Sequence, residues 1–146
     1  MYLPQHVKLF EGSILDNIRY THETMTHASV HRILNQFGVS DLLKGNAKSS
    51  TYLHRQVGID GSGVSGGQKQ IIILMRTYID TVGKQKNSTY TEGKSVLILD
   101  EPTASLDDHM VDVVMNLLQR LKNTHTIIMI THNRYIAKQC DSFIQF

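Results

Sequence analysis

Apolar residues spaced one helical turn apart mark the first half of the chain, and two short unbroken apolar runs mark the second. Val30, Ile33, Leu34 and Phe37 share a helical face, with Thr26 placed to cap that helix and Gly38 to stop it. Ser40 and Gly45 bracket a shorter helical piece in the same way. Ser65 followed three residues later by Gln68 has the form of a capping box, and the apolar run 71–75 after it predicts a third helix. Residues 81–94 are polar, contain two glycines and show no period, which predicts a surface loop. Farther on, residues 96–99 and 127–130 are short, apolar and rich in β-branched side chains, as strands buried in a parallel sheet are. Between them Met110, Val113, Val114, Leu117, Leu118 and Leu121 recur at helical spacing behind a cap candidate, Asp107, so the expectation is a βαβ unit. A last strand is expected over 143–146, and the fold class is α/β.

Length and composition narrow the classes. A chain of 146 residues makes one domain at most, and 40% hydrophobic content suffices for a packed core. The run 71–75 is far too short to cross a bilayer, and Met1-Tyr2-Leu3-Pro4-Gln5 lacks the charged and then apolar segments of a secretory signal. One cysteine, Cys140, excludes a disulfide framework within the chain and points to a reducing compartment. The net charge of +2 is mild and the basic residues are scattered, so no nucleic-acid partner is expected.

Two groups of residues carry chemistry. A helix that opens on Ser65-Gly66-Gly67-Gln68 offers unpaired N–H groups and the positive end of its dipole, and two glycines let a phosphate come close to the backbone. The strand 96–99 ends in Asp100-Glu101, two carboxylates at the carboxyl edge of the sheet, where ligands of open α/β folds bind.

With their neighbours, these motifs resemble the ATP-binding cassette (ABC) ATPases, the motor domains of membrane transporters. Val64-Ser65-Gly66-Gly67-Gln68 resembles the ABC signature, flanked at matching distances by Val57-Gly58, Gly61-Ser62-Gly63, Gln70 and Arg76. Val96-Leu97-Ile98-Leu99-Asp100-Glu101 resembles Walker B, and Pro102-Thr103-Ala104-Ser105-Leu106-Asp107 the D-loop that touches the opposite subunit. His132, behind Thr131, resembles the switch histidine, and Gln5 the Q-loop glutamine. Leu9-Phe10-x-Gly12-Ser13-Ile14-x-Asp16-Asn17-Ile18 looks like the exporter branch in particular.

The resemblance implies a part of a P-loop NTPase (RecA-like) parallel sheet core with an inserted helical signature subdomain. Its divisions would be a Q-loop segment over 1–11, the helical subdomain over 12–80, the insertion over 81–94, and Walker B to the H-loop over 95–146. It also implies ATP and Mg²⁺ as ligands. Glu101 would orient and deprotonate the attacking water, and His132 would contact the γ-phosphate. Asp100 and Gln5 would serve the metal, while Gln5, Ser65, Gly66, Gly67, Gln68 and Asp107 would bind nucleotide. The implied partners are a second nucleotide-binding domain, identical or different, and a transmembrane transporter domain that holds this chain at the cytoplasmic side of a membrane.

No stretch of the chain reads G-x-x-x-x-G-K-[ST], the loop that wraps nucleotide phosphates in that family. Phosphoryl transfer relies on positioning and charge neutralisation, so the isolated chain is expected to bind ATP weakly or not at all. The signature could still complete an ATP site held by a partner; the alternative is a non-catalytic remnant that serves as a dimerisation or regulatory partner. Ile59 and Ile71 depart from the family at positions where an acid and a basic residue are usual.

Other patterns carry less. Gly93-Lys94-Ser95 has the tail of a phosphate loop, but Ser88 stands where its first glycine belongs, and it precedes a strand rather than a helix. His22 and His27 are one residue too far apart for H-E-x-x-H, while His27 and His31 share a helical face. Gly63-Val64-Ser65-Gly66-Gly67 fits the serine-hydrolase elbow G-x-S-x-G, yet residues 58–63 are poor strand material.

Overall fold

The computed structural model describes residues 2–3, 8–45, 50–87, 95–104 and 106–145, with the backbone alone at 2–3, 50 and 81–87. The chain divides into two compact units, residues 7–93 and residues 1–6 with 94–146.

The first unit is helical. Helix α1 (Ile14–Arg19) opens on a capping box in which Ser13 and Asp16 satisfy each other's backbone. Helix α2 (His27–Phe37) starts at Thr26, whose hydroxyl accepts from the Ser29 amide, and ends at Gly38 in the left-handed conformation that glycine adopts without strain. Helix α3 (Ser40–Lys44) stops before Gly45. A 3₁₀ turn, Ser50–His54, follows, and helix α4 (Gly66–Asn87) is the longest element. Residues 71–75 of α4 are all buried, which is why they show no amphipathic stripe.

Helix α4 also corrects an expectation. It runs on through residues 81–87, which the polar composition marked as loop. Lysine and glutamine are good helix formers, extension from an existing helix is cheap, and Gly83 costs only about 1 kcal/mol against alanine. Residues 88–94 lie outside the described residues.

The second unit is a parallel sheet of strands β1 (Tyr2–Leu3), β2 (Ser95–Asp100) and β3 (His125–Ile130), ordered β1-β2-β3. Helix α5 (Asp108–Leu121) connects β2 to β3, capped by the Asp107 carboxylate on the Met110 amide at 2.8 Å. Its Val114, Leu117, Leu118 and Leu121 are buried, as their spacing predicts; Met110 and Val113 are only half-buried, and Met115, outside that pattern, is buried as well. Short helix α6 (Arg134–Ala137) follows, capped by Asn133. The strand expected over 143–146 is not formed at 143–145, where Phe143 and Ile144 are exposed and pair with no neighbour among the described residues; without a ladder, so short a segment has no hydrogen bonds to gain. Phe146 lies outside the described residues.

His125 is buried at the start of β3, with Nδ1 3.3 Å from the Leu121 carbonyl. Burial pushes its pKa below the ordinary histidine value. An unfolded chain therefore takes up this proton at a higher pH than the folded one, so the histidine's contribution to stability is complete above about pH 6.5 and is lost as pH falls from there through the folded value. Urea midpoints recorded between pH 8 and 5 should decline over that range, and His125→Gln should flatten the decline.

Candidate functional site

Local sequence sets the signature end of α4. Gly58 and Gly61 have φ of 71° and 77°, and a Cβ on Gly63 would fall 2.7 Å from the Gln56 carbonyl, so glycine is required at these three positions by the chain itself. The loop closes with the Gly63 amide on the Val57 carbonyl at 2.7 Å and delivers Ser65 as the cap. Ser65 Oγ accepts from the Gln68 amide and Gln68 Oε1 from the Ser65 amide, both at 3.2 Å: the capping box expected from sequence.

That box leaves two donors. The Gly66 and Gly67 N–H groups at the head of α4 find no acceptor among the described residues. A Cβ on Gly66 would meet nothing within 4 Å, so packing does not require glycine there. Gln68 faces inward: besides its bond to Ser65, Oε1 accepts from Arg55 at 3.1 Å and Nε2 donates to the Leu42 carbonyl at 2.8 Å.

In the other unit, β2 delivers Asp100 and Glu101 to the carboxyl edge of the sheet, with β3 delivering Thr131 and His132 beside them. The Glu101 amide bonds the Ile130 carbonyl at 2.9 Å, and Glu101 Oε1 accepts from the His132 amide at 2.7 Å. His132 Nε2 lies 3.9 Å from the same oxygen, its side chain 98% exposed against 18% for Glu101. Glu101 has φ of 47°, a left-handed conformation that costs a glutamate of order 1 kcal/mol or more. Asp107 is held as the α5 cap, and Gln5 lies outside the described residues, as does Ser105.

Two clusters were not expected from spacing. Asn17 is fully buried and bonds the backbone of Phe10 in both directions, while Arg76 reaches its carbonyl and its Oδ1 at 2.7 and 2.8 Å. The Arg76 guanidinium sits 5.4 and 5.2 Å from the ring centres of Phe10 and Tyr20, both exposed, and burial holds its pKa below the usual arginine value. His54 joins His27 and His31, but the rings stack face to face at 5.2 and 6.2 Å, an arrangement that brings faces rather than nitrogens together. Among the described residues no three metal-ligating side chains converge.

A mixed α/β unit with a small parallel sheet and a helical unit that presents a glycine-headed helix fit the class of a partial ABC domain. This chain is a homologue of the ABC exporters. It is 30% identical over 141 residues to an ATP-dependent lipid A-core flippase of Xylella fastidiosa, covering 96% of this chain and 21% of the relative. It is 35% identical over 132 residues to the mitochondrial ATP-dependent permease MDL1 of Saccharomyces cerevisiae, covering 90% of this chain and 17% of the relative. The fold matches a bacterial Atm1-family ABC exporter solved with ATP bound, with a TM-score of 0.72 at 23% identity over 97% of this chain and 22% of that one. The chain thus spans about a fifth of the length of the proteins it matches. No family model matches. Among the described residues, no helix is long and apolar enough to cross a membrane.

Proposed function

We propose that the chain is the part of an exporter nucleotide-binding domain that follows the phosphate-wrapping loop, with a RecA-like core, and that α4 completes an ATP site held by a second such domain. The observation that carries this is the pair of amides at Gly66 and Gly67 without an acceptor among the described residues, the first of them on a glycine that packing does not require. A glycine at a helix head with open space over it suits an anion that approaches from outside. The exposed rings of Phe10 and Tyr20, clamped by Arg76, suit docking of a transmembrane transporter domain, which would place this chain at the cytoplasmic face of a membrane.

In the other unit the donor chemistry fits Mg²⁺, which takes one or two carboxylates and fills its remaining positions with water and substrate phosphate. Asp100 would hold it, with Gln5 as its expected companion. When bound, the ion would neutralise phosphate charge. Glu101 would accept a proton from the attacking water and orient it, and the exposed imidazole of His132 would donate to a terminal phosphate oxygen.

The test pairs this chain with an exporter-class nucleotide-binding domain that carries its own phosphate loop, and measures ATP turnover. Ser65→Arg lays a long side chain across the Gly66 amide and is expected to lower the pair's turnover about a hundredfold, the usual effect of losing a preorganised donor. Ser65→Ala removes the cap but keeps access, and separates blocked approach from a frayed helix. Equal rates for wild type and Ser65→Arg would refute the reading.

A second reading, a non-catalytic partner that folds against another chain, is favoured by one observation. Val96, Ile128 and Ile130 lie on one face of the parallel sheet and are 44%, 50% and 53% exposed. Parallel sheets are ordinarily covered on both faces.

A further inference from the structure

We infer that Arg55 is a positioning residue for the phosphate-facing end of α4, an inference that rests on the reading of Gly66 and Gly67 given above. Arg55 follows the 3₁₀ turn Ser50–His54 and directs its guanidinium at two places at once. Its NH2 group donates to the Leu43 carbonyl at 3.2 Å and to Gln68 Oε1 at 3.1 Å. Gln68 in turn donates to the Leu42 carbonyl and accepts from the Ser65 amide. One guanidinium and one amide therefore tie the last turn of α3 to the first turn of α4.

The pair solves two end problems together. Leu42 and Leu43 lie in the final turn of α3, where carbonyls lack helical partners and a cation is favourable. At α4 the same bonds fix Gln68 Oε1 on the Ser65 amide. With Ser65 and Gln68 N–H groups both tied off, the amides of exposed Gly66 and buried Gly67 are the two in the first turn left without a partner among the described residues. A cation behind a helix head opposes the dipole of α4, so Arg55 is unfavourable there unless an anion sits in front. Its Nε is also buried with no partner among the described residues, a further cost the fold carries. A lysine would supply the charge without the planar fork that reaches both acceptors from one nitrogen. These costs are accounted for if the fork geometry is what holds α4 in register for a phosphoryl group.

Two NMR measurements on the ¹⁵N-labelled chain test this separately from the phosphate reading. Without ligand, Arg55→Lys should speed hydrogen exchange at the Ser65 and Gln68 amides about tenfold, the effect of one charge-assisted hydrogen bond, and leave α2 and α5 unchanged. With inorganic phosphate as the probe, the Gly66 and Gly67 resonances of the wild type should shift and saturate, and Arg55→Lys should weaken that affinity several-fold. Arg55→Gln, which can satisfy one of the two acceptors, should fall between and serves if the lysine variant does not fold. Wild-type glycine amides that ignore phosphate overturn the phosphate reading and, with it, the role assigned to Arg55. Glycine amides that respond equally in all three proteins, with unchanged exchange at Ser65 and Gln68, overturn the inference about Arg55 alone.

Discussion

Asn17→Ala is expected to cost the helical unit about 3–5 kcal/mol, a large share of the 5–15 kcal/mol that a domain holds in reserve. Asn17 is fully buried and satisfies four polar groups on three residues through its side chain: Nδ2 donates to the carbonyls of Phe10 and Ser13, and Oδ1 accepts from the Phe10 amide and from Arg76. Alanine removes all four bonds and leaves those groups in place. An orphaned buried donor or acceptor costs about 1–3 kcal/mol, and more where the partner is charged, as Arg76 is. Arg76 keeps its bond to the Asn17 carbonyl and its contact with Phe10 and Tyr20, so the loss stops short of the full sum. Urea unfolding followed by circular dichroism would measure it. A loss below 1 kcal/mol would mean that water reaches the vacated site and the network is dispensable.

This network shows where sequence reading stops. Asn17 and Arg76 were both legible as members of family strings, 59 residues apart, but nothing in either string says that one clamps the other. Helices and strands were legible because each has a local cause. Thr26, Ser65 and Asp107 are caps whose side chains reach amides three residues on, and the structure forms all three bonds. The misread stretch, 81–87, has no apolar period because helix continuation there rests on propensity and on the turns already formed.

The candidate site divides in the same way. Ser65 and Gln68 announce their capping box at a separation of three, whereas the bond from Arg55 to Gln68 spans 13 residues and that from Gln68 to the Leu42 carbonyl spans 26. His54 likewise joins the histidines of α2 through a turn that spacing cannot place. Glu101 and His132 were each legible at a strand end, and only parallel pairing of β2 with β3 makes them neighbours.

That neighbourhood gives Glu101 two possible duties, and Glu101→Gln separates them. As a latch, Glu101 needs only an oxygen to accept the His132 amide at 2.7 Å, and glutamine keeps one. As a base it needs a carboxylate, which glutamine lacks. In a chain extended upstream so that its own sheet carries the phosphate-wrapping loop, the variant is therefore expected to bind ATP as the wild type does and to lose turnover by about 10²–10⁴, the range for a positioned general base. The backbone argues for the second duty. A latch alone would not explain why a glutamate is held at φ of 47°, where glycine would sit without strain. Glu101→Gly relieves that strain but also removes the acceptor of the His132 amide, so stability in urea should not rise while turnover disappears. Turnover within threefold of wild type in Glu101→Gln would reduce Glu101 to a structural latch and move the search for a base to another group at the sheet's carboxyl edge.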